Sequence, residues 1–543
     1  MSDHQADTWF GEVRSILNGA RDRGAWAALC AWLWSVRNER MDEVVLGYIE
    51  QHLERWPDAL RRVPSMWMFL LSTEEVDADS WLWGLMRSVV IDGAHLEASV
   101  GHGLPESVHP HLFSSWMEGL THLELDNMNL GNEDVHALIS CFRGGHLQRL
   151  VLRGNLFDDQ GVNALIDASM MQSVEVLDLR ENLWGGYEDA ISNLATSPHV
   201  GRLKRLDIQC CLSHQDLMLV LGSQRLQGLE HLGLNSCLYS MDLLGTQDLA
   251  GVESLRDAEM RLRNLRSLDL TSNQIDDDRL MDLIDIEWIS QLTHLRLDWN
   301  EVTGYGLEKL ATSESFTSLE ALSLKGLELD ESSARVLCHG NHLPHLKSLN
   351  LDSAEGLSNA DAYATRPPRL LGVASSSHFW VDVLSDADMS VDLEYLNLSN
   401  LMLELSVKDV HRLGQSGRFK RLNHLVLANV AMSAEVLDVL CQGVEGFDAL
   451  ERLNLSFNHE LGHAFGPLVH RTLSASLRWL SLQECGLDDE DILAMCALSE
   501  QGAWPWSGLK VLDLRGNVFG AQSCEALNGL IQRELCEVLF DYA

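Results

Sequence analysis

Lysine is scarce in this chain. Of 40 basic residues among 543, seven are Lys and the rest Arg, against 80 Asp and Glu, for a net charge of -40. An acid-rich, lysine-poor composition resembles that of proteins adapted to salt. It disfavours direct binding to nucleic acid, which calls for clustered bases along the phosphate backbone. No apolar run approaches the ~20 residues a membrane helix needs. The nearest candidate, Gly24 to Val36, starts late, follows Glu12 and Asp22, and has no small-residue cleavage site after it. It reads as a buried helix and not as a signal-peptide core. Proline is sparse, at 10 residues, and no tract is of low complexity, so a large disordered share is not expected. The 11 cysteines form no CxxC pair and no regular spacing. They point to reduced, structural thiols in a cytoplasmic protein rather than to a disulfide framework. GxSxG, the P-loop GK[ST] and the dinucleotide fingerprint are all missing, and no cofactor is implied.

What the chain does have is a repeat. The pattern L-x-x-L-x-L-x-x-N/C-x-L is clear in LQRLVLRGNLF from Leu147, VEVLDLRENLW from Val174, LRSLDLTSNQI from Leu265, LTHLRLDWNEV from Leu292, LRWLSLQECGL from Leu477 and LKVLDLRGNVF from Leu509. Further copies begin at Met86, Leu120, Leu203, Leu229, Leu319, Leu346, Leu393, Leu422 and Leu450. Starts are mostly 26 to 29 residues apart. Each unit therefore has room for a short strand, with its L-x-L leucines inward, and for a helix of about fifteen residues covering the outside. The Asn or Cys is expected to turn inward and bond backbone groups of the loop. One unit cannot bury its own apolar face, so stacking supplies the core. Acid runs after the strands, at Asp158-Asp159, Asp276-Asp277-Asp278, Asp330-Glu331 and Asp488-Asp489-Glu490, recur at one repeat position and read as helix caps, not metal sites.

A period of this length with a full helix per repeat resembles the ribonuclease-inhibitor-type leucine-rich repeats, whose relatives include the Ran GTPase-activating protein and the sensor ends of innate immune receptors. The resemblance runs from about Met86 to the C-terminus. It implies an α/β leucine-rich-repeat solenoid, a horseshoe of about fifteen strand–helix units, and spans inhibitors, sensors and scaffolds. The Ran-activating relatives use a catalytic Arg, and nothing here marks one.

Residues 1–80 lack the repeat. Phe10, Val13, Ile16 and Leu17 have helical spacing, as do Met41, Val44, Val45, Tyr48, Ile49 and Leu53 before Pro57. These residues, with tryptophans crowding the region, predict a helical N-terminal cap over 1–80, ahead of the solenoid at 81–543. The cap loosely resembles helical modules that precede such repeats in myxobacterial proteins, and a bacterial source is expected. The longest interval between repeats, from Leu346 to Leu393, predicts an insertion at 353–392 that carries Phe379 and Trp380 outside the repeat pattern. Insertions of this kind project as loops, often beside a binding face.

Strand alternation puts positions two, three, five, seven and eight of each copy on the inner, concave face. From Leu120 onward those positions carry 15 acids and 13 bases, so the face is near neutral and most of the excess acid lies elsewhere. Four aromatics stand there, Trp299, Tyr395, Phe457 and Trp479. Their neighbours are Arg296, Asp298, Arg452 and Arg478. Aromatics flanked by Arg are the usual anchors of a protein interface. These eight residues, with Phe379 and Trp380, are the predicted contact surface for a protein partner.

Two motifs resemble metal sites. HELGH at 459–463, with His470 beyond it, matches the zincin signature, in which two His on one helical turn hold zinc and the Glu activates water. Asn458 is the repeat asparagine, which places His459 and Glu460 in the turn leaving a strand and argues against the motif. His339, His342 and His345 are the second candidate. The expectation is a non-enzymatic protein-interaction module (sensor, inhibitor or scaffold) with no membrane span. The alternatives are a zinc metallopeptidase at HELGH and a structural subunit of a larger assembly.

Overall fold

The computed structural model describes residues 3–18, 21, 23–37, 43–63, 81–93, 115–142, 146–184, 189–210, 212–238, 251–252, 254–257, 261–327, 335–337, 343–352, 384, 393–400, 406–416, 419–430, 432–442, 447–464, 476–500, 506, 508–532 and 537–540. They fall into two compact units, Met1–Leu265 and Arg266–Ala543.

The first unit opens with three helices, α1 (Asp3–Leu17), α2 (Arg23–Ser35) and α3 (Glu43–Leu53). Val13, Leu17, Leu29, Leu33, Ile49 and Leu53 are buried among them, and the Trp9 ring meets Trp32 edge-on at 6.1 Å. The chain then reaches the first repeat strand. Arg62 forms a parallel bridge to Ser88, Val63 N–H donates to the Ser88 carbonyl at 2.8 Å, and Trp26 Nε1 donates to the Arg62 carbonyl at 2.7 Å. Buried Arg61 donates from Nε and Nη2 to the Leu85 carbonyl, and burial, then the charge of Arg87, lowers its pKa to about 10. Residues 61–63 thus cover a strand edge that would otherwise invite pairing with another chain.

Six strands follow in this unit: β1 (Ser88–Asp92), β2 (His122–Asp126), β3 (Arg149–Val151), β4 (Val176–Asp178), β5 (Arg205–Ile208) and β6 (His231–Leu234). The second unit contains β7 (Ser267–Asp269), β8 (His294–Arg296), β9 (Ala321–Ser323), β10 (Ser348–Asn350), β11 (Tyr395–Asn397), β12 (His424–Val426), β13 (Arg452–Asn454), β14 (Trp479–Ser481), β15 (Val511–Asp513) and β16 (Glu537–Leu539). Within each unit the strands pair in chain order, all parallel. Leucines stand in register, as in Leu268↔Leu295↔Leu322↔Leu349↔Leu396↔Leu425↔Leu453↔Leu480↔Leu512. Each of these is buried, and a fully buried Leu contributes roughly 1.5–3 kcal/mol. Every strand expected from the repeat is present. β16 adds a sixteenth.

The repeat asparagine reaches in two directions. Asn155 Nδ2 donates to the Leu152 carbonyl of its own turn (2.9 Å) and to the Leu125 carbonyl of the preceding coil (2.8 Å). Its Oδ1 accepts from Met128 and Leu130 N–H at 3.0 and 3.1 Å, also in the preceding coil. The loop bonded is therefore partly the previous one, not only the following one. Asn300, Asn458 and Asn517 repeat this pattern. Where Cys takes the position, the thiol takes over part of the role: Cys485 Sγ donates to the Leu455 carbonyl. Among the described residues, seven cysteines are free and buried.

The outer helices are shorter than the fifteen residues expected. Asp159–Asp167 has nine and is followed by a 3-10 turn at Ser169–Ser173 that carries the chain back to the sheet. The acid runs divide their work. Asp158, Asp276 and Asp488 accept from N–H groups of their own helices. Asp277 instead accepts from Thr303 N–H and Gly306 N–H of the next coil, and Asp489 from Gly520 N–H. Asp330-Glu331 lies outside the described residues. Among the described residues no helix is long and apolar enough to cross a membrane.

Candidate functional site

The third repeat position forms a row on the open face of the sheet. In the second unit the register is Tyr395↔His424↔Arg452↔Trp479 on β11 to β14. The Tyr395 and His424 rings meet edge-on at 4.9 Å, and His424 meets Trp479 at 6.4 Å. Tyr395, His424 and Trp479 are half-buried, while Arg452, on the strand between the last two, is exposed. Burial raises the Tyr395 phenol pKa. Three of these four residues were predicted; His424 was not. An aromatic pattern of Phe, Trp and Tyr leaves it out, although an imidazole at the third position fills the same place.

Burial, and then the charge of Arg452, lowers the His424 pKa to about 4. Its folded pKa thus lies below the unfolded value of about 6.5. The unfolded chain binds more protons between those values, so stability is full above about pH 6.5 and falls as pH drops toward 4. NMR titration should find the His424 ring neutral at pH 6, and His424→Phe should flatten the decline of Tm between pH 6.5 and 4. An ordinary His424 titration near 6.5 would refute this.

The other predicted residues of this unit form a separate patch. Arg296 lies on β8, three strands from β11, or about 14 Å at the usual strand spacing. Its guanidinium pairs with Asp298 at 2.8 Å and with Asp269 at 3.2 Å. Asp298 is itself 1% exposed and also accepts from Ser323 Oγ and Lys325 N–H. It positions Arg296 and the turn, and offers no carboxylate outward. Trp299 has φ +55, and Lys325 Nζ lies 5.5 Å from its ring centroid. Gly326 underlies the indole, since a Cβ there would overlap the ring. Phe457 has φ +62. A left-handed backbone is unusual for residues this bulky and costs of order 1 kcal/mol or more. Phe457 is half-buried after β13, and Arg478 is exposed with Nη1 donating to the Gly508 carbonyl at 3.1 Å. Phe379 and Trp380 lie outside the described residues, as does all of the 353–392 insertion except Leu384.

The fifth position departs from the expected open face. Asp178, Asp207, Asp269 and Asp513 point off the leucine core yet are 5% exposed or less. They lie beneath longer neighbours: Arg180 pairs with Asp178 at 2.6 Å and Arg515 with Asp513 at 2.7 Å. Burial alone would raise the Asp207 carboxyl. The bond from His231 at 2.8 Å, with the charges of His231, Arg205 and Arg180, outweighs it and lowers the pKa to about 2. The surface chemistry of the face is thus set mainly by the other positions.

The HELGH segment is a 3-10 helix, His459–Ala464. At three residues per turn, this segment does not supply the α-helical backbone on which the zinc motif depends. Gly462 explains the sequence better. Its N–H donates to the Cys485 carbonyl at 2.9 Å, and a Cβ there would overlap the Gly486 backbone. His470, His339 and His342 lie outside the described residues. Among the described residues no group of three His, Cys, Asp or Glu is placed to hold a metal ion.

A family model described as Leucine Rich repeat matches residues 261–279 and 290–311. The protein is a leucine-rich-repeat solenoid. Over 285 residues the solenoid is 26% identical to Toll-like receptor 3 of Bos taurus, a match covering 50% of this chain and 29% of the receptor. Among solved structures it is similar to LegL7 of Legionella pneumophila, with 16% identity, coverage of 53% of this chain and 85% of that one, and a TM-score of 0.35. It is similar also to TLR13 in its complex with a single-stranded RNA, with 15% identity, coverage of 86% and 63%, and a TM-score of 0.29. A leucine-rich-repeat protein of Leptospira interrogans gives 16%, coverage of 84% and 90%, and a TM-score of 0.25.

Proposed function

We propose that this leucine-rich-repeat protein is a non-enzymatic module, a sensor, inhibitor or scaffold, that binds a protein partner on the open face of its second unit. The observation that carries this reading is the row Tyr395, His424, Arg452 and Trp479. Its rings are only half-buried, pack mainly on one another, and occupy positions where other coils carry Ser348, Ala321 or Ser267. Half-exposed aromatics beside Arg have the composition of interface hot spots. Trp299 with Arg296 forms a second contact patch, Phe457 and Arg478 lie close to the first in sequence, and Phe379 and Trp380 contribute from the insertion. Residues 1–80 act as the cap of the repeat array. The reading is supported by the general use of this fold in protein binding and by the site's own chemistry.

Affinity capture with the tagged full chain tests it. Tyr395→Ala combined with Trp479→Ala should reduce retention of a captured protein by about tenfold or more, while the far-ultraviolet circular dichroism stays unchanged. Undiminished capture would remove this face from the site. Trp299→Ala, measured alongside, reports on the second patch.

A further inference from the structure

Several bases on or beside the open face of the second unit are already paired with acids. Arg296 has Asp298 and Asp269, Lys347 has Glu320 at 2.8 Å, Lys325 has Asp352 at 3.8 Å, and Arg515 has Asp513. Arg421 pairs with Glu394. Arg452 differs. It is exposed, it stands in the aromatic row between His424 and Trp479, and among the described residues it has no carboxylate partner. His424 beside it adds no charge at neutral pH. Half-buried rings stand on the strands to either side of this guanidinium, whose planar fork of donors matches a carboxylate in two-point geometry.

Resting on the binding function proposed above, we infer that this row takes an acidic peptide segment. An Asp or Glu carboxylate of the partner seats on Arg452, and an adjoining apolar or aromatic side chain packs over the exposed parts of the Tyr395, His424 and Trp479 rings. The net charge of -40 does not oppose this at contact range, because screening confines each charge to about 8 Å at physiological salt. Specificity follows from sign. A basic segment would meet an unpaired like charge at the centre of the patch and be rejected.

A random dodecapeptide display library, selected on the immobilised full chain, supplies the probe. The recovered peptides should be enriched in Asp or Glu next to an apolar residue. A synthetic copy of one should lose about tenfold in affinity on Arg452→Gln. Arg452→Glu should bind the same peptide with Lys in place of its acid better than it binds the original. Both variants alter an exposed side chain, so unchanged Tm values identify the effect as local. Peptides without acid enrichment that still depend on Trp479 would overturn the acidic partner and leave the proposed binding face standing. Peptides indifferent to both Arg452→Gln and Trp479→Ala, or no recovered peptide, would overturn both.

Discussion

Gly462→Ala should lower Tm by roughly 5–10 °C, the equivalent of about 3 kcal/mol. The added methyl would overlap the carbonyl of Gly486, and Gly486 has no room to retreat: its own Cα faces the His459 carbonyl and its φ is +71. Backbone therefore meets backbone on both sides of the gap, with no flexible side chain to absorb the strain. The 3-10 turn would lift off the neighbouring coil and forfeit the bond from Gly462 N–H to the Cys485 carbonyl as well as the burial of Leu461. Thermal denaturation by circular dichroism measures this. A Tm within one degree of the parent would show that the turn does not dock as described. The adjacent His459→Ala, at an exposed side chain, should leave Tm unchanged.

Removal of a repeat asparagine should be at least as damaging. Asn458→Ala deletes acceptor bonds from Val430 N–H (2.9 Å) and Met432 N–H (3.3 Å), and donor bonds to the Leu427 and Leu455 carbonyls (2.9 and 2.8 Å). All four backbone groups are buried away from water. At about 1 kcal/mol or more for each orphaned group, the expected loss is about 4 kcal/mol. Asn458→Cys should lose clearly less, because Cys237 and Cys485 already serve at this position through Sγ bonds to neighbouring carbonyls. Hydrogen exchange gives a residue-level reading. The Val430 and Met432 amides, both in the preceding coil, should lose protection in the Ala variant. Equal stability of the Ala and Cys variants would contradict the account.

The leucine spacing made the strands legible because each L-x-L pair has one place to go, the inside of the stack. β16 is not marked by the repeat because Leu535, Val538 and Phe540 satisfy only the apolar half of the pattern, and its asparagine position falls on Ala543. The helices are shorter than the spacing predicts, since spacing does not separate an α-helix from the 3-10 turn that closes a coil. For the candidate site, alternation placed Tyr395, Arg452 and Trp479 on one face. It could not show that Asp298 and the fifth-position aspartates lie under their arginines, because burial there depends on side chains from adjacent coils. Nor could it group His424 with the aromatics or separate the Trp299 patch, which needed the register. The HELGH match shows the reverse hazard, in which a helix-dependent motif falls on a segment whose glycine is required for docking.

The eighth position carries a last consequence. Asn127, Gly154, Glu181, Ser236, Ser272, Trp299, Gly326, Asn400, Asn429, Phe457, Glu484 and Gly516 all hold positive φ there. So varied a set in one conformation means that the coil, and not the residue, dictates the backbone. At the sites that are not glycine the occupant varies from Ser to Trp while the leucine columns stay as they are, whereas at Gly154, Gly326 and Gly516 a Cβ would run into Asn127, Trp299 and Glu484 of the preceding coil. On the binding function proposed above, moving an aromatic among the non-glycine sites would shift its contact along the array without redesign of the interior.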